Sequence, residues 1–172
     1  MFATSRFVQR APASRMLKMI APVGTRAASS AAKSLYQTTS IASGKGRSGN
    51  VSNQDSQFKA SLALPKSMGG PGNADGTVNP EILFASGYAS CFLGAVQAVA
   101  GAKKVSLPAE TSVKTVVDLK KDTNFELAVK LTLSVPGLSQ KVADDVVTTA
   151  HEMCPYSRAT RGNIEVDVKA VV

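Results

Sequence analysis

Two cysteines, Cys91 and Cys154, and one histidine, His151, are the whole stock of thiols and imidazoles in this chain of 172 residues. A thiol reacts as its thiolate, so the chemistry turns on what can ionise it and what stands within reach. Cys91 falls midway along an uncharged stretch, and Cys154 closes a segment of helical periodicity. If those two segments pack as helices, the two sulfurs can come within disulfide range. The same residues also fit two small hydrophobes of a core, because free cysteine is among the most buried residue types. Metal binding is a third option. His151 and Cys154 are spaced i, i+3, and Cys91 could complete a Cys₂His set of the kind found in some zinc sites. With no second histidine and no Cys-x-x-Cys pair, the expectation is no bound metal and no bound cofactor. The wide spacing excludes thioredoxin-type exchange, and neither a nucleophile elbow nor a phosphate-binding glycine pattern occurs.

Cys91 lies some three turns in from its helix start, so the helix dipole does not ionise it and a cation must. Beyond residue 33 the chain offers three arginines, Arg47, Arg158 and Arg161. Arginine is preferred to lysine because it also presents a planar fork of donors to a peroxide or carboxylate. Glu81, an acid at the helix start, could hold such an arginine in place.

The elements that position these groups follow from pattern. Leu35 to Ile41 reads as a short strand, followed by a Gly/Ser turn carrying Arg47, and Phe58 to Leu64 alternates as a half-buried strand ending at Pro65. Ser67 to Val78 is a glycine-rich loop. Asn79-Pro80-Glu81 opens a helix with an N-cap amide, a proline at the first position and an acid near the positive end of the dipole. From Ile82 to Ala102 this helix carries no charge. That length could span a bilayer, but its glycines, serines and alanines are only weakly apolar, and no membrane span is expected. The expectation is a helix buried on all sides, with a stripe of Gly87, Ser90, Gly94, Ala98 and Gly101 beside Cys91 admitting the second helix. Thr111 to Leu119 and Phe125 to Val135 are strands, Ser139 can cap a helix to Met153, and Ile164 to Val168 begins a last strand. The class is α+β, not a repeating βαβ pattern.

Lys and Arg total 20 against 12 Asp and Glu, a net charge of +8. Position removes the suggestion of a nucleic-acid partner. Eight of the basic residues and no acid precede Asp55, and the remainder is neutral. Residues 1–33, rich in Arg, Ser and Ala with apolar residues among the cations, have the composition of a mitochondrial transit peptide. Localisation in the mitochondrial matrix is expected, with residues 34–172 as one domain.

The runs Asn79-Pro80-Glu81-Ile82-Leu83-Phe84-Ala85-Ser86-Gly87-Tyr88-Ala89-Ser90-Cys91-Phe92 and Cys154-Pro155-Tyr156-Ser157-Arg158-Ala159-Thr160-Arg161-Gly162-Asn163-Ile164 closely resemble the two cysteine motifs of the organic hydroperoxide resistance proteins of the Ohr/OsmC family. The resemblance covers essentially all of Leu35 to Val172. It implies two central helices packed against curved antiparallel sheets in an intertwined homodimer. It also implies a thiol peroxidase reducing organic hydroperoxides, fatty-acid hydroperoxides included. Cys91 matches the peroxidatic thiolate, Cys154 the resolving thiol and Glu81 the family's acid. Arg47 best matches the activating arginine, with Lys45 and Arg158 as competing cations. The implied electron donor is a dithiol such as dihydrolipoamide or a lipoylated protein.

Ile82, Phe84, Tyr88, Phe92 and Met153 are candidate apolar walls for the substrate, with core packing as their alternative role. Glu81 and Cys91 lie about 15 Å apart along a continuous helix, so a site using both is expected to be shared between subunits. The rival from another class is a noncatalytic binding or scaffold protein with structural cysteines.

Overall fold

A computed structural model describes residues 33–74 and 76–172, so the expected leader lies almost wholly outside the described residues. The chain divides into two units, Met1–Gln37 and Thr38–Val172. Of the first, residues 33–37 are described and carry no regular structure.

The second unit begins with a four-stranded sheet ordered β1 (Ser40–Ser43), β2 (Asn50–Asn53), β3 (Lys59–Leu62) and β4 (Thr77–Val78). The first strand starts later than the apolar pair Leu35 and Tyr36 suggests. Both side chains are exposed, and pairing begins only where Ser40 meets Asn53. The Asp55 carboxylate accepts hydrogen bonds from the Thr38 hydroxyl and the Thr39 amide, which hold its pKa below the usual carboxylate range. Between β1 and β2 the chain makes a short 3₁₀ turn at Gly46–Ser48. Glycine is required at its exit. A Cβ at Gly49 would lie 2.0 Å from the Ser43 carbonyl oxygen, and this close approach sets Arg47 at the tip of the turn.

Helix α1 (Pro80–Lys103) starts as its sequence signals demand, with the Asn79 side chain accepting from the Ile82 amide at 2.8 Å. It ends at Lys104, whose left-handed backbone turns its N–H back onto the last carbonyls. The second sheet holds β5 (Ser112–Lys121), β6 (Phe125–Ser134) and β7 (Glu165–Val171), with β5 and β6 forming a hairpin. Its inner face carries Val117, Val129, Leu131, Leu133 and Val168, which pack with Tyr88, Phe92 and Val96 of α1. Helix α2 (Gln140–Met153) adds Ala143, Val146, Val147 and Ala150 to that core. Ser139 occupies its N-cap position but makes no side-chain cap bond. A six-residue helix, α3 (Pro155–Thr160), follows.

The architecture is α+β, as expected, with three corrections. The sheets are mixed rather than antiparallel: β3 pairs β4 in parallel and β6 pairs β7 in parallel. The α2–α3 crossover carries the chain back to the end of the sheet where β6 began, so β7 must run alongside it in the same direction. The second correction is the addition of α3 itself. The third concerns α1, which is not covered on all sides. Tyr88, Phe92, Ala95, Val96, Val99 and Ala100 are buried, whereas Ser86, Ser90, Gly94, Gln97, Ala98 and Gly101 are exposed. Much of the expected small-residue stripe thus faces outward, and α2 packs on the bulky side, where burying Tyr and Phe is worth more. Among the described residues, α1 is the one helix long and apolar enough to cross a membrane.

Candidate active site

Cys91 projects from the middle of α1, and Cys154 is the single residue between α2 and α3. Their sulfurs lie 3.6 Å apart, in van der Waals contact, and both thiols are free. A disulfide needs about 2.05 Å, so the pair requires only a small closure. The two surroundings differ. Cys154 is wholly buried, whereas Cys91 is partly exposed and is the sulfur that a solute can reach.

Burial pushes the Cys91 pKa above its ordinary value, and the adjacent Cys154 thiol pushes it the same way. A hydrogen bond from the Tyr156 backbone opposes both by favouring the thiolate. Tyr156 lies in the first turn of α3, where backbone amides have no intrahelical acceptor. Pro155 opens α3 without an N–H of its own, so Tyr156 carries the first free amide of that helix.

Arg47 and Glu81 form an ion pair, Nη2 to Oε2 at 2.5 Å, at the N-terminus of α1. A second contact of the same nitrogen is Met68 Sδ at 4.0 Å, and the buried Arg47 Nε has no hydrogen-bond partner. The pair is real, but ten residues of helix, about 15 Å, separate Glu81 from Cys91 in the same chain. Thus the structure brings Cys91 to Cys154 and Arg47 to Glu81, without joining the two pairs within one chain. Of the other cations considered, Lys45 is exposed and Arg158 lies on an exposed position of α3. Arg161 donates to the His151 carbonyl at 2.9 Å.

The five expected wall residues separate. Ile82 and Glu81 line a cleft of about 330 Å³ with Met68, Val117 and Leu119. Phe84 stacks on Tyr156 at 6.3 Å, and Met153 is 44% exposed. Tyr88 and Phe92 have no exposed surface and serve the core, because the aromatic side of α1 turns toward β6 and α2. As for the third option, no three His, Cys, Asp or Glu side chains converge among the described residues. His151 instead turns Nδ1 to the Ser157 hydroxyl at 3.0 Å.

Sequence reasoning missed the polar cluster around that hydroxyl. Tyr88 donates its hydroxyl hydrogen to Ser157 Oγ at 2.9 Å and stands 3.3 Å from Thr160 Oγ1. All three residues are buried. The available signal was spacing: Ser157 and Thr160 share one side of a helix, with Pro155 at its start.

The model of the family described as OsmC-like protein matches residues 71–169. The organic hydroperoxide resistance protein of Xanthomonas axonopodis pv. citri is 44% identical over 135 residues, which span 78% of this chain and 93% of that relative. Among solved structures, the organic hydroperoxide resistance protein OsmC of Legionella pneumophila superposes with a TM-score of 0.74 at 43% identity, covering 81% of this chain and 100% of its own. The organic hydroperoxide resistance protein OhrB of Bacillus subtilis gives 0.71 at 34% identity, covering 80% and 100%.

Proposed function

This chain belongs to the OsmC-like protein family, and on that premise we propose that it is a cysteine-dependent peroxidase acting on organic hydroperoxides. The observation that carries the reading is the sulfur pair, 3.6 Å apart with Cys91 alone accessible. Cys91 thiolate attacks the distal oxygen of R–OOH. The O–O bond breaks, the alkoxide leaves as alcohol after taking a proton, and Cys91 becomes a sulfenic acid. Cys154 then displaces its hydroxyl to form an intramolecular disulfide, and an external dithiol reopens it.

Within one chain, burial works against the thiolate at Cys91, and the Arg47–Glu81 pair sits ten residues away along α1. A second copy that brings its Arg47 over this Cys91 would supply the missing field, so the functional form is a homodimer. Apolar residues around the cleft beside Glu81 favour organic over inorganic peroxide. Each hydrocarbon side chain's worth of substrate surface buried is worth about 1.5–3 kcal/mol, which hydrogen peroxide does not gain. A dihydrolipoyl group fits the reductant's role, since it is a dithiol able to reach a recessed disulfide. If residues 1–33 direct the chain to the mitochondrial matrix, lipoylated dehydrogenase complexes place that donor beside it.

The test is peroxide consumption with tert-butyl hydroperoxide and dihydrolipoamide. Cys91→Ser is expected to abolish it, and Cys154→Ser to allow one turnover that stops at the sulfenic acid. Wild-type rates in both variants would leave the cysteines structural and return the protein to a binding or scaffold role.

A further inference from the structure

Helix α3 has six residues, too few to be stable by itself, so something must hold it in place. Its buried side chains are Ser157 and Thr160, both hydroxyls. A short helix of this kind usually docks through hydrocarbon. Here Tyr156 supplies ring contacts to Phe84 and Tyr88, and beside them runs a directional chain: the Tyr88 hydroxyl of α1 donates to Ser157, and Ser157 in turn meets His151 Nδ1 on α2. Burial and the nearby Arg161 lower the His151 pKa, against a smaller opposing effect of Glu152. The ring is therefore neutral near pH 7, and its Nδ1 can accept the Ser157 hydroxyl hydrogen. With Tyr88 and Ser157 wholly buried and His151 half-buried, the Tyr88–Ser157–His151 chain is a satisfied polar network, which fixes geometry more sharply than sliding apolar contacts.

The placement is specific to the sulfurs. Tyr88 lies one turn before Cys91 on α1, and Ser157 one turn after Cys154. The Tyr88–Ser157 bond at 2.9 Å and the Cys91–Cys154 contact at 3.6 Å are therefore adjacent rungs between the same two segments. Cys154 is also the joint of the chain. Its own N–H bonds back into α2 at Ala150, while its carbonyl accepts from Arg158 in α3. Any swing of α3 about this joint moves the Cys154 sulfur.

We propose that Ser157, tied to Tyr88 and His151, is a positioning residue for closure of the Cys91–Cys154 disulfide. This rests on the peroxidase reading above. In the closure step the S–S bond forms and the S–O bond of the Cys91 sulfenic acid breaks, and the departing hydroxyl leaves as water with the Cys154 thiol proton. Both sulfurs end at the disulfide level, and the oxidising equivalent comes from the peroxide already reduced to alcohol. Ser157 touches no reacting atom. It keeps Cys154 in line with the S–O bond, so its loss slows closure and leaves the peroxide-attack step alone.

The experiment is a single turnover of the full chain with tert-butyl hydroperoxide and no reductant. The sulfenic acid is followed with a dimedone-type probe and the disulfide by mass. For Ser157→Ala, the expected result is sulfenic acid formation at the wild-type rate and closure slowed by about 3–10-fold, the loss of one or two hydrogen bonds from an aligned state. Ser157→Thr, which keeps the hydroxyl, restores closure. Should Ser157→Ala fail to fold, Tyr88→Phe removes the donor at constant volume and is expected to slow closure in the same direction. Wild-type closure in Ser157→Ala or Tyr88→Phe overturns the proposal, as does equal slowing of both steps. A wild-type protein that forms neither sulfenic acid nor disulfide on addition of peroxide overturns the peroxidase reading itself, a separate result that the wild-type trace alone decides.

Discussion

Cys91 and Cys154 carry one functional group in two settings, the first partly exposed and the second buried behind it at contact distance. In the proposed cycle the accessible sulfur is the one that meets the oxidant. His151 belongs to this scale too. Its pKa is held below the ordinary value near 6.5 by burial and by Arg161. Since the folded protein resists its protonation more than the unfolded chain does, the contribution to stability is complete above about pH 6.5 and declines as the pH falls below it. Thermal unfolding of wild type and His151→Gln across that range is expected to show wild type losing stability relative to the variant on acidification. Parallel curves would mean that His151 does not couple to folding. The motif around Cys154 was legible in the sequence as a set of residues. That Ser157 meets Tyr88, 69 positions earlier, was not, because a side-chain hydrogen bond between distant elements leaves no periodic trace.

Among the elements, α1 was the most readable. Asn79, Pro80 and Glu81 each act at its start for a local electrostatic reason, and local reasons survive folding. The cap also aims the Arg47–Glu81 pair, because it fixes the first turn from which Glu81 projects. Asn79→Ala is expected to cost about 1 kcal/mol of stability in denaturant titration, leaving the Ile82 amide without its acceptor. A change indistinguishable from zero would show that the cap is redundant with packing. The short helix α3 escaped notice because six residues fall below the length at which hydrophobic periodicity can be read. The parallel run of β7 beside β6 was equally hidden, since Ile164, Val166 and Val168 alternate the same way in either direction.

For the whole molecule, composition alone could not say whether the uncharged face of α1 is covered by this chain or by another. Alanine, glycine and serine suit both. The described chain leaves that face open at Gly94 and Gly101, where an added Cβ meets nothing within 4 Å. The proposed homodimer makes a sharper demand, that Arg47 serve the Cys91 of the other copy. Mixing two inactive proteins tests it. Cys91→Ser and Arg47→Ala chains, unfolded and refolded together, are expected to recover peroxide consumption, because a mixed dimer holds one site with both an intact thiol and an intact guanidinium. No recovery, with mixed dimers demonstrated, would place both groups in the same chain.

The β5–β6 hairpin lies between the two cysteines in the chain, and its turn, with Lys120 and Lys121 before it, is exposed. A single tryptic nick there divides the polypeptide into one piece holding each thiol. On a non-reducing denaturing gel the pieces of the reduced protein separate, and closure of the proposed Cys91–Cys154 disulfide by peroxide would make them run together as one band, so a protease and a gel suffice to read the state of the sulfur pair.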